Sequence, residues 1–206
     1  MTKSAPTLGS IAAAIAVLLT AGGASGQVTY PPPAECPPPT NTITGTEGND
    51  NLNGTKANDL ILAFGGDDRA DGKRGDDCLL MGTGNDRGKG GRGSDFVFGE
   101  EGNDLLLAGN GGDSADGGPG RDRVFGGSGA DDVSGGAGND RVKGDSGKDD
   151  VDGGAGHDRL LGGGSADTLR ARDGERDRVN CGGGKDIAIV DSQDRVSRNC
   201  ETVSRP

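Results

Sequence analysis

The chain has no tryptophan, one tyrosine, four phenylalanines and a single histidine in 206 residues. Aromatics make up only 2% of it, so a core of large interlocking side chains is out of reach. The same scarcity, joined to a net charge of -11, argues against a nucleic-acid partner, which asks for a basic surface and aromatic stacking platforms. His157 alone cannot build an imidazole metal centre, and soft transition metals are disfavoured with it. The longest apolar run, "IAAAIAVLL" from Ile11 to Leu19, falls short of the ~20 residues that a membrane-spanning helix needs. There is also no phosphate-binding loop, no zinc-type spacing and no carboxylate pair set in a defined pocket. An enzyme is not expected.

Glycine is what the chain has in excess. It occurs 43 times, about three times the usual ~7%. Each glycine loses more backbone freedom on folding than any other residue. Little apolar mass, much glycine and high net charge normally mean disorder. Order therefore requires folding energy from outside the chain.

The first 26 residues differ from the rest. Lys3, the apolar run and the small residues of "AGGASGQ" have the layout of a secretory signal peptide, with cleavage after Ala24 or Gly26. Retention of this segment as a membrane anchor is the alternative. The expected protein is secreted and extracellular, either free or held at the cell surface. Residues 27–44 read as a stiff Pro-rich linker, "PPPAECPPPT" at its centre. Four cysteines in an exported chain predict two disulfides.

From Gly45 the chain divides into fourteen consecutive units of nine residues without insertion or deletion, ending at Arg170. "GGSGADDVS", "GGAGNDRVK" and "GGAGHDRLL" are typical. The sixth place is aspartate in every unit: Asp50, Asp59, Asp68, Asp77, Asp86, Asp95, Asp104, Asp113, Asp122, Asp131, Asp140, Asp149, Asp158 and Asp167. The fourth place is glycine except at Ala57 and Ser165. The eighth is Leu, Ile or Val except at Ala70, Gly88 and Ala115.

Three kinds of place give three roles. Glycines at the first, second and fourth places permit positive φ and a tight turn with free carbonyls. The triplet around the eighth place is a minimal strand with one side chain facing inward, so two units close one coil. Stacked coils repeat every ~4.8 Å, and no unit can bury its one aliphatic residue without its neighbours. Stacking also lines up carboxylates in columns that repel one another. Oxygen-rich turns of this kind suit Ca²⁺, which takes 6–8 oxygen ligands, better than octahedral Mg²⁺. Calcium bound at the aspartates is the expected source of folding energy.

The unit resembles the nonapeptide G-G-x-G-x-D-x-U-x of the repeats-in-toxin, or hemolysin-type calcium-binding, family. That resemblance implies an all-β parallel β-roll with an ion between turns two units apart. One column of ligands would be Asp50, Asp68, Asp86, Asp104, Asp122, Asp140 and Asp158. The other would be Asp59, Asp77, Asp95, Asp113, Asp131, Asp149 and Asp167. The strongest sites should lie from Gly117 to Asp158, and the weakest at the turns containing Ala57 and Phe64. Many family members use an uncleaved C-terminal export signal and lack cysteine; the N-terminal leader and the cysteines here depart from that, and no pore-forming segment accompanies the repeats.

Residues 171–206 continue the aspartate beat imperfectly and read as a C-terminal cap closed by Cys181 and Cys200. The coil spacing puts Cys78 and Cys181 roughly 25 Å apart, beyond disulfide reach, so the expected pairs are Cys36–Cys78 and Cys181–Cys200. Leu60, Leu62, Cys78, Leu80, Phe96 and Phe98 should form an apolar outer patch, covered by the segment around Tyr30 to Cys36 or open to a partner. Arg69, Arg87, Arg123, Arg141 and Arg159 should stripe the opposite face. They serve either as a solvated charge offset or as a seat for an anionic cell-wall glycan or protein partner. "GDSG" at Gly144 to Gly147 and "RGD" at Arg74 to Asp76 arise from drift within the repeat. The overall expectation is a monomeric, secreted, calcium-loaded roll with a structural or binding role, and an adhesin as the alternative.

Overall fold

A computed structural model describes residues 36–205. The leader and most of the Pro-rich linker lie outside the described residues. No helix occurs among the described residues, and none there is long and apolar enough to cross a membrane.

Two parallel sheets face one another. One has ten strands, beginning with Asn41–Thr44 and Asp59–Leu62 and ending with Ile187–Val190 and Thr202–Ser204; the other has nine, from Asn51–Asn53 to Arg195–Val196. Even-numbered repeat units supply the first sheet and odd-numbered units the second. The register is eighteen residues throughout the repeats, as in Arg123↔Arg141 and Val133↔Val151. It lengthens by the one inserted residue at Arg159↔Arg178 and Thr168↔Ile187. Strands spaced ~4.8 Å apart make a rod of about 40 Å.

The interior is built from eighth-place side chains, one file from each sheet. Ile61, Val97, Leu106, Val124, Val133, Val142, Val151, Leu160 and Leu169 are fully enclosed. Gly88 leaves a gap in its file, and a Cβ there would already meet Val97, Leu106 and the sulfur of Met81. Met81 comes from a first place that is otherwise mostly glycine, so a large residue from the turn fills what the strand omits.

Two sequence boundaries shift. Asn41–Thr44, assigned by composition to the linker, is a strand pairing with Asp59–Leu62, because its alternation of Thr and Ile fits a sheet edge. Beyond Arg170 both sheets continue through Arg178–Gly183, Ile187–Val190, Arg195–Val196 and Thr202–Ser204, so the C-terminal segment is itself coiled onto the roll. Both expected disulfides form, Cys36–Cys78 and Cys181–Cys200. Leu60, Leu62, Cys78 and Leu80 are buried, and Phe96 and Phe98 are half-buried. Of the segment expected to cover them, Tyr30 to Cys36, only Cys36 is among the described residues.

Candidate metal centre

Each turn begins with the backbone. In the third to fourteenth units the second place has positive φ, whether it is Gly91 (φ 122), Gly109 (φ 129) or the non-glycines Phe64 (φ 77), Lys73 (φ 76), Glu100 (φ 67) and Asp145 (φ 76). The fourth place does the same at Gly84, Gly102, Gly138 and even Ser165. The first place does not. Its glycine is needed for room: at Gly117 an added Cβ would stand 2.6 Å from Oδ2 of Asp122, and at Gly126 it would stand 2.6 Å from that of Asp131. The expectation that the first place also needs positive φ is therefore corrected to a close-approach requirement.

The sixth-place aspartates are nearly all buried and stand in two columns. Each backbone N–H donates to Oδ1 of the aspartate one coil later, as from Asp104 to Asp122 (2.7 Å), Asp122 to Asp140 (2.7 Å) and Asp131 to Asp149 (3.0 Å). Each aspartate is thus fixed in the column by its successor. The other oxygen, Oδ2, has no hydrogen-bond partner at Asp68, Asp77, Asp86, Asp95, Asp104, Asp113, Asp122, Asp131, Asp140, Asp149, Asp158 and Asp167. An unpartnered buried carboxylate oxygen is costly, and a row of them facing glycine turns fits a hard cation.

Both columns are closed at their ends. Oδ2 of Asp50 accepts the Thr46 N–H (2.6 Å), and Oδ2 of Asp59 accepts the Thr55 N–H (2.5 Å). At the other end, Oδ2 of Asp194 accepts the Asp191 N–H (2.6 Å). Glu201 ends the second column by accepting the Asp186 N–H (2.9 Å). Oδ2 of Asp50 and of Asp59, both predicted as ligands, thus has a hydrogen-bond partner that the interior members of the columns lack. Asp177 and Asp186, outside the predicted ligand set, continue the columns with unpartnered Oδ2 atoms. Their signal was present in the imperfect aspartate beat beyond Arg170. The closures had one as well, since the second place is threonine in the first two units only.

Electrostatics point the same way. Burial pushes Asp77, Asp86, Asp95, Asp104, Asp131, Asp140 and Asp158 up to about 7. It pushes Asp122, Asp167 and Asp177 up to about 6. The amide donated by the preceding coil pulls each back down, while neighbouring carboxylates add to the rise. Asp68, Asp113 and Asp149 are raised from the same leading cause. A metal-free roll at neutral pH must hold charge where charge is unfavourable.

Among the described residues no three His, Cys, Asp or Glu side chains converge on one point. Each gap in a column offers two carboxylates, so further ligands would have to be turn carbonyls. That donor set is all oxygen, which suits calcium and not a soft metal. The short motifs resolve as repeat chemistry. Ser146 ends a strand on the outer surface, His157 lies near Glu175 (3.7 Å), and Oδ1 of Asp76 accepts the Ser94 N–H (2.9 Å) as one rung of a turn ladder.

A parallel roll with a carboxylate column along its turns is the architecture of a repetitive calcium-binding solenoid. The family model for the RTX calcium-binding nonapeptide repeat (4 copies) matches residues 44–77, 82–115, 107–142, 143–176 and 152–188. These segments span more than half of the chain, and the chain belongs to that family. No curated protein matches it.

Proposed function

We propose that this is a secreted structural or binding protein whose roll is assembled by extracellular calcium. The observation that carries this reading is the row of buried, unpartnered Oδ2 atoms from Asp68 to Asp186. The ligands would be the interior aspartates of both columns, from Asp68 to Asp177 and from Asp77 to Asp186, with Asp50 and Asp59 acting as closures. Calcium supplies positive charge that offsets the carboxylate repulsion, and the chain's own residues hold that charge in register. Export by the N-terminal leader agrees with two disulfides in one small chain. No catalytic role is proposed.

A calcium titration of residues 27–206, read by far-UV circular dichroism with magnesium as the control, tests it. A coil-to-β transition with Ca²⁺ alone is expected. A roll already formed in chelator would overturn it and leave the disulfides and stacked aliphatics as the source of stability. A second reading, an adhesin for an acidic glycan or protein, is favoured by one observation, the arginine column on the nine-stranded sheet.

A further inference from the structure

Arg123, Arg141, Arg159, Arg178 and Arg195 are register partners on successive strands of the nine-stranded sheet. Their stems therefore start about 4.8 Å apart in a straight row. Arg69 and Arg87 extend the row toward the N-terminus, with Leu105 breaking it. All seven side chains are exposed. Among the described residues, no carboxylate lies within ion-pair distance of any of them; the arginine that is paired, Arg170 with Asp150, belongs to the other sheet.

A second row lies beside the first at the turns. Its members Arg121 and Arg176 join Arg159, Arg178, Arg195 and His157 around an open depression of about 420 Å³. The carboxylates in its wall, Asp140, Asp158 and Asp177, are turned to the column, where Oδ1 of each accepts an amide and Oδ2 is buried. The outward charge of the depression is cationic on a chain whose net charge is -11. Five unpaired guanidinium groups one coil apart repel each other, and a row of anions at matching spacing relieves that repulsion.

We infer that this face binds a linear acidic polysaccharide, with carboxylates of successive sugars seated on successive arginines. The inference rests on the adhesin reading and names its ligand. A straight row of fixed spacing fits an extended ribbon with one charge per sugar. Nucleic acid fits worse: Phe125 is the one aromatic among the outward ninth-place residues of that sheet, and the Arg123 guanidinium already lies over its ring, 5.7 Å from the centroid.

The test is a calorimetric titration of the full chain, in about 1 mM calcium, with an octamer of a hexuronic acid. Neutral dextran and duplex DNA are the comparison ligands. Binding to the octamer is expected, weakening as salt rises. The double variant Arg159→Gln, Arg178→Gln should lose at least about tenfold in affinity, while Arg69→Gln, away from the depression, should lose less than about threefold. Circular dichroism of each variant checks that the calcium-loaded roll is intact. No octamer binding by a folded chain, affinity unchanged in the double variant, or duplex DNA bound as tightly would each overturn the inference. A chain folded equally in chelator and in calcium would sink calcium-driven assembly and leave this binding result standing.

Discussion

Gly117 and Gly138 occupy the same kind of turn for different reasons. Gly138 has φ 148, and the Gly120 carbonyl oxygen fills the space that a Cβ would need. Gly117 has an ordinary φ, and a Cβ there would meet both the Gly135 carbonyl oxygen (2.4 Å) and Oδ2 of Asp122 (2.6 Å). Gly138→Ala should cost about 2–4 kcal/mol in urea unfolding at saturating calcium. Gly117→Ala should cost stability through the Gly135 carbonyl and, in addition, raise the calcium midpoint by displacing the Asp122 carboxylate. Gly183→Ala meets nothing within 4 Å and should stay within about 0.5 kcal/mol of the parent. The aspartates divide similarly. Asp140→Asn removes a buried charge from the interior of a column and should weaken calcium-induced folding about tenfold in midpoint. Asp50→Asn, whose Oδ2 already accepts the Thr46 N–H, should shift it far less.

The raised carboxyls also fix the direction of pH dependence. Folded carboxyls pushed to about 6 or about 7 hold protons that the unfolded chain, at its ordinary 3.8, has released. The metal-free roll is therefore most stable near and below pH 4 and loses that stability as pH climbs to about 7. In chelator, β structure should grow on acidification from pH 7 to pH 4 in circular dichroism. An unchanged coil signal over that range would refute it.

At the scale of the strand and turn, the nine-residue period made most of the molecule legible. An inward eighth place, alternating sheets and an eighteen-residue register all follow from counting, because each coil repeats the same small problem. Physical detail invisible to counting sits where the pattern breaks. Nothing in the spacing shows that each aspartate amide donates forward to the next carboxylate, or that the Asp191 amide closes a column, whereas Thr46 and Thr55 stand out as departures at the second place. Met81 stands in for the missing side chain of Gly88 only because the coils pack in three dimensions. The terminal strands depend on a different device. Removing the Cys181–Cys200 link, with both residues changed to Ser, should cost about 3 kcal/mol in urea unfolding at saturating calcium. It should leave the number of bound ions unchanged.

The whole molecule behaves as a stack whose parts are interchangeable in steps of one coil. Deleting residues 117–134 removes one complete coil and rejoins strands in their own sheets. That variant should still undergo a calcium-induced coil-to-β transition. Deleting residues 117–125 removes half a coil. The eighth places still face inward, but every later strand changes sheets, and Arg141, Arg159 and Arg178 leave the face that carries Arg69 and Arg87. This shorter variant should fold with calcium and keep Arg141, Arg159, Arg178 and Arg195 one coil apart on their new face, so octamer titration should show only the loss that follows from deleting Arg121 and Arg123.

The forward direction of the amide-to-carboxylate bonds has a consequence in time. A chain is made from its N-terminus, yet the Asp104 amide needs an acceptor on Asp122, and Asp122 needs one on Asp140. Every coil therefore waits for the one behind it, and the last acceptors to arrive are Asp194 and Glu201. The stack is finished by its tail, like an arch that stands only when its last stone is set, and a chain cut short anywhere leaves its newest coil open.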